Sequence, residues 1–236
     1  MSDRERPPSG FFPRAETTPK KSASAIASIA SAWRLVREDL EAHRGDWTRP
    51  GFQALLVYRY GVWRTSIHSK LLRAPVTVSS RALFRAVRNF YGIELPFSAR
   101  IGRRVVFEHQ GGIVVHGNAV IGDDCIIRQG VTLGIRRLDN PTEAPILGRG
   151  VSVGAGAKIL GQVYVADHAE IGANAVVLED VPADTLAVGV PARLVSRSHR
   201  TADEHDDLND APPSSRTGRK LVAMGVGVDH DVAKSS

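Results

Sequence analysis

Hydrophobic positions recur along this chain with two different periods. From about Ala23 to Phe90 they fall at steps of three and four. Ile29, Trp33, Val36 and Leu40 form one stripe in AIASIASAWRLVREDLEAH, and Leu55, Tyr58 and Val62 form another in FQALLVYRYGVWRTSIHSKLL. Such spacing lines one face of a helix and predicts that the face is buried. GDWTRPG separates the first two helices, and a break near Ala74-Pro75 is expected before a third helix around SSRALFRAVRNFYG, because Gly and Pro interrupt helical backbone. Residues 23–92 are therefore expected to form a small helical cap.

After Gly92 the period becomes six. From Val115 the chain divides into VHGNAV, IGDDCI and IRQGVT; from Leu147 it divides again into LGRGVS, VGAGAK, ILGQVY, VADHAE, IGANAV and VLEDVP. Each unit opens on Leu, Val or Ile, and its fifth residue is Val or Ala, with Cys125 taking that place once. Two looser units, IGRRVV and FEHQGG, come earlier, with a two-residue adjustment before Val115. Six residues is the period of neither a helix nor an alternating strand; it is the repeat of a parallel β-helix, in which three short strands make one triangular coil. The branched first residue fills the interior, the small fifth residue fits beside the turn, and Gly at many second positions eases the close backbone path. The expected fold is mainly β: a β-helix over residues 93–195 with a small N-terminal α-helical domain. Gly134 to Ile146, GIRRLDNPTEAPI, is too long for a turn and should protrude.

Composition narrows the rest. The single cysteine excludes an intramolecular disulfide and fits a reducing cytoplasm; at a fifth position it reads as small apolar filler. No apolar signal segment opens the chain and no run is long enough to cross a bilayer. The formal charge of +6 comes from arginines scattered through helices and turns rather than interleaved with exposed aromatics, which argues against nucleic acid and suits an acidic small molecule. Residues 1–22 and 196–236, rich in Pro, Ser and charge, are expected to be flexible.

The segments ELPFSARIGRRVVFEHQGGIVVHGNAVIGDDCIIRQGVTLG, VSVGAGAKILG and AVGVPARLV resemble the serine acetyltransferase branch of the hexapeptide acyltransferase superfamily, and REDLEAH with GFQALLVYRYGVW resembles its helical amino-terminal region. The likeness runs over about residues 33 to 195. It implies left-handed coils, a homotrimer, in some members paired through the cap, and acetyl-coenzyme A in a groove between subunits, donating acetyl to the L-serine hydroxyl for cysteine synthesis. No metal is implied, since the thioester is already activated.

A hydroxyl attacks a thioester well only while a base takes its proton, and imidazole is suited to this near neutral pH. The resemblance assigns that role to His109. It places Glu94 as the carboxylate that orients the ring, one methylene longer than the family's aspartate, and Glu108 as the group that meets the acceptor's ammonium. Around the donor groove it places Gly134, Gly154, Ala155, Gly156 and Ala157, with Lys158 or Arg193 meeting phosphate. His116, Asp46 and His168 are weaker candidates; solvent-facing structure explains His116 and His168 as well.

One departure bears on the acceptor. Where the family's loop carries an arginine and a histidine that hold the acceptor carboxylate, this chain has Glu143 and Ala144; Arg136 or Arg137 are the cations left in the loop. L-Serine and a saccharide hydroxyl therefore both stand as acceptors at this level, beside a trimeric protein-binding scaffold with no chemistry. The chain ends Lys-Ser-Ser rather than in isoleucine, so docking to cysteine synthase is not expected.

Overall fold

The computed structural model describes residues 25–196 apart from Pro141. The flexible start expected at residues 1–22, and all but the first residue of the tail expected at 196–236, lie outside them. Strands arrive in threes. β1 (Ile93–Glu94), β2 (Arg100–Ile101) and β3 (Val106–Glu108) make one coil, and β4 (Ile113–Val115), β5 (Val120–Ile121) and β6 (Ile126–Arg128) make the next. β7 (Thr132–Gly134), β8 (Ile146–Leu147) and β9 (Ser152–Val153) form a third, followed by β10 (Lys158–Leu160), β11 (Tyr164–Val165) and β12 (Glu170–Ile171). β13 (Val176–Val177) and β14 (Thr185–Val188) begin a last coil, and β15 (Arg193–Ser196) folds back antiparallel on β14.

Every third strand pairs in parallel. The three sheets run β1-β4-β7-β10-β13, β2-β5-β8-β11 and β3-β6-β9-β12-β14-β15, which is a left-handed parallel β-helix. The hexad openers Ile121, Ile127, Leu133, Leu147, Val153, Ile159, Val165, Ile171 and Val177 all point inward and are buried. So are the fifth-position residues between them, from Ala119 and Cys125 to Val181. Each buried aliphatic contributes roughly 1.5–3 kcal/mol, so this internal file outweighs any one surface contact.

Two coils depart from the common length. In the regular coils strand partners lie eighteen residues apart, as in Lys158 beside Val176. Val106 beside Ile126 shows the first coil to be two residues longer, and Ile126 beside Ser152 shows that the coil with the protruding loop is eight longer. Both surpluses leave the prism, because its interior has no place for them.

The cap consists of α1 (Ala25–Ala42), α2 (Pro50–Trp63) and α3 (Lys70–Tyr91). Pro50 starts α2, where its missing N–H is no loss. Gly92 ends α3 in the left-handed region, its N–H returning to Arg88 O at 3.0 Å. Two expectations change. No break occurs at Ala74-Pro75: α3 runs through Pro75, near its exposed N-terminal end. The α1 stripe is not buried either, since Ile29 is 53% and Trp33 69% exposed.

The reason is that α1 docks through polar groups. Asp39 of α1 and His43, which follows the helix directly, are fully enclosed. The Asp39 carboxylate accepts Arg59 Nε at 2.8 Å and the Arg104 N–H at 3.1 Å. Arg59 also donates to the carbonyls of Ile101, at 2.9 Å, and Gly102. His43 Nδ1 donates to Asp39 O at 2.7 Å, which leaves Nε2 to accept the Phe107 N–H at 3.4 Å. Gly51 of α2 lies against the same residue, where any Cβ would overlap the Phe107 carbonyl. The first coil is therefore clamped by the cap immediately before Glu108 and His109.

Burial pushes the His43 imidazole down from its ordinary value near 6.5. The unfolded ring takes up a proton near that pH, the folded ring resists it, and stability present above about pH 6.5 should be lost as pH falls below it. Urea unfolding from about pH 7.5 to 5.5 should show this decline in the wild type and a flatter profile in His43→Gln. Burial likewise pushes the Cys125 thiol up to about 12. A thiol reagent at mildly alkaline pH should leave the folded protein unmodified and label Cys125 fully once urea unfolds the chain; labelling of the folded protein would refute this.

Candidate active site

The two surplus residues of the first coil are His109 and Gln110. Glu108 pairs with Arg128 in register, and Gly112 lies against Gly130, so FEHQGGI spans with five intervening residues what IRQGV spans with three. The corner bulges as a result, and the bulge carries the histidine. His109 is exposed and adopts φ 63°, the left-handed region that few non-glycine residues occupy. Gly111 and Gly112, at φ 101° and 68°, let the chain re-enter β4 after it. An imidazole is thus held outside the prism on a backbone fixed from behind by His43 and Gly51.

The expected partner is not on the ring. Glu94 lies on β1 beside Val114, five residues past His109 and on a different sheet face, and among the described residues it makes no hydrogen bond to His109. The bulge nevertheless stacks on the corner that leads into β1, the Gly111 N–H donating to the Tyr91 carbonyl at 2.8 Å and the Ile113 N–H to that of Gly92 at 3.0 Å, so Glu94 and His109 flank the same edge of the prism.

Glu108 points outward at the mouth of the corner. Its carboxylate meets Arg128 Nε at 3.1 Å, and Arg128 Nη1 donates to Ser152 Oγ at 3.1 Å. Arg128 is a site residue that the sequence reading passed over. The signal was present: Glu108 and Arg128 hold the second place of their hexads, where Gly is the commonest residue. Gln129 follows, and its side-chain oxygen is buried with no partner among the described residues.

The charged groups of the protruding loop pair locally, while its ends pack on the prism. Arg137 pairs with Asp139 at 3.2 Å, both largely exposed, and Arg136 packs on Gly161. Glu143 accepts Asn140 Nδ2 at 2.6 Å, while Ala144 is buried in the core. Asp46 caps its own turn, accepting the Thr48 N–H at 3.0 Å. His116 Nδ1 accepts the Asn118 N–H at 3.2 Å, and His168 sits exposed in a turn at φ 59°.

Several donor-groove candidates turn out to serve the prism. Ala157 faces the core, and its carbonyl and amide bond Thr132 N and Gly154 O. Lys158 spends its ammonium on the Gly130 carbonyl and on Thr132 Oγ1, the latter at 3.2 Å, instead of standing free for phosphate. Gly154 and Gly156 hold corners where a Cβ would strike the next coil. Gly134 has only ordinary contacts at its Cβ position, Ala155 is partly exposed, and Arg193 stands exposed on β15.

Comparison with known proteins agrees with this geometry. Residues 144–179 match the family model described as bacterial transferase hexapeptide (six repeats). A serine acetyltransferase of Synechococcus elongatus is 38% identical over 173 residues, covering 73% of this chain and 68% of that protein. A soybean serine acetyltransferase solved in complex with serine superposes with a TM-score of 0.62 at 35% identity, covering 72% of each chain. A Brucella abortus serine acetyltransferase solved with coenzyme A gives 0.61 at 27% identity, covering 77% of this chain and 78% of that one. Identity of this extent over most of both chains, on a shared fold, means that this chain belongs to the serine acetyltransferases.

Proposed function

We propose that the protein transfers the acetyl group of acetyl-coenzyme A to the hydroxyl of L-serine. The observation that carries the proposal is the exposed His109 on a two-residue bulge, beside a carboxylate suited to an ammonium. Membership of the family supports the substrates, since relatives are solved with serine and with coenzyme A.

His109 takes the proton from the serine hydroxyl as its oxygen bonds to the thioester carbonyl carbon. The tetrahedral adduct then collapses, the carbon–sulfur bond breaks, and the imidazolium returns the proton to the departing thiolate. The products are O-acetylserine and coenzyme A, with no net change at the enzyme. Glu108 receives the serine ammonium. A backbone N–H of the glycine-rich corners is the natural donor to the carbonyl oxygen as charge builds on it. Since each prism is filled, donor and acceptor must meet outside it; a homotrimer, in which a neighbouring prism walls the groove, fits the exposed position of His109.

A saccharide hydroxyl is the second reading. The favouring observation is the loop, whose Glu143 and buried Ala144 supply no cation to a carboxylate. A steady-state acceptor panel with acetyl-coenzyme A should show saturation by L-serine; saturation by a saccharide with none by L-serine would reverse the order. His109→Ala should lower kcat/KM by about 10²- to 10⁴-fold while circular dichroism and the oligomer's mass stay unchanged. Retained activity in that variant would remove His109 from the mechanism.

A further inference from the structure

We infer that Arg128 reads the acceptor's carboxylate, so that the outward pair Glu108–Arg128 recognises an α-amino acid as a zwitterion. The inference rests on the proposed serine acetylation. L-Serine carries an ammonium and a carboxylate on one carbon and its hydroxyl on the next. A site for it needs an anion and a cation within a few ångströms of each other, and a base one residue away. Glu108 and Arg128 are strand partners in register, 3.1 Å apart, and His109 follows Glu108 directly.

The pair is suited to opening for a ligand. Its side chains are 30% and 36% exposed, and a partly exposed ion pair is worth only about 0–1 kcal/mol. A zwitterion offers each partner an opposite charge in exchange, and the local charge stays balanced throughout. Ser152 Oγ holds Arg128 Nη1 at 3.1 Å, which anchors the guanidinium on its coil while its other donors turn to the ligand. A carboxylate can engage two of those donors at once.

Two other cations are committed differently, while Arg136 lies with its stem against Gly161 on the loop's side of the prism. Arg137 is paired with Asp139 inside the loop, and Lys158 spends its ammonium on Gly130 and Thr132. Arg128 thus answers the loss of positive charge at residues 143 and 144 from another face of the molecule. A neutral saccharide can hydrogen-bond such a pair but brings no opposite charge in exchange for breaking it.

The test compares L-serine with L-serinamide, which keeps the ammonium and hydroxyl and lacks the carboxylate charge. The intact enzyme should prefer L-serine by tenfold or more in kcat/KM, roughly the factor that a charge-assisted hydrogen bond supplies. In Arg128→Leu the KM for L-serine should rise by about the same factor, with kcat and the KM for acetyl-coenzyme A nearly unchanged, so that the preference disappears. Arg128→Lys should restore part of it. If Arg128→Leu keeps the preference, or loses both acceptors in parallel, Arg128 does not read the carboxylate. An intact enzyme that acetylates saccharides and not L-serine would instead overturn the serine reading, and this inference with it.

Discussion

Each coil of the prism has room inside for one file of side chains, and that limit governs the molecule. A strand contributes one inward residue and each corner one more, so the interior is filled by Ile, Leu, Val, Ala, a single Cys and, in the first coil, Phe107. No ligand enters such a core. Any chemistry must be carried by outward strand positions, by corners, or by residues in excess of the repeat. The chain uses all three: Glu108 and Arg128 point outward from paired strands, His109 rides a corner, and the loop between β7 and β8 holds the larger surplus.

Precision in an exposed corner has to come from behind. Here the cap supplies it, through His43 on the Phe107 N–H and Gly51 against the Phe107 carbonyl. The buried Asp39–Arg59 pair secures α1 to the same coil by reaching the carbonyls of Ile101 and Gly102. Removing one member of such a buried pair typically costs about 3–5 kcal/mol, more than any single aliphatic contact in the file. Polar docking also explains why the apolar stripe of α1 stays open while the enclosed residues at its end are Asp39 and the following His43.

The coils were legible in the sequence because one six-residue rule recurs with little variation. The two-residue adjustment before Val115 was legible too, and it proved to be the bulge that bears His109. What could not be read was how residues on different coils meet. Glu94 and His109 flank one corner of the prism, yet among the described residues no hydrogen bond joins them. Ala157 and Lys158 suggested donor contacts from their neighbourhood, but the inward turn of one and the backbone bonds of the other depend on register. Arg128 was overlooked for the opposite reason. Its meaning lies wholly in being the strand partner of Glu108, twenty residues away.

The account stands on the claim that His109 takes the proton of the acceptor hydroxyl at a seam outside the prism. A crystal structure with L-serine and an unreactive acetyl-coenzyme A analogue tests it most directly. The serine oxygen is predicted within hydrogen-bond reach of the His109 ring, about 2.6–3.2 Å, and facing the thioester carbon. Serine and thioester bound together at a place remote from His109, in every pairing of subunits, would contradict it.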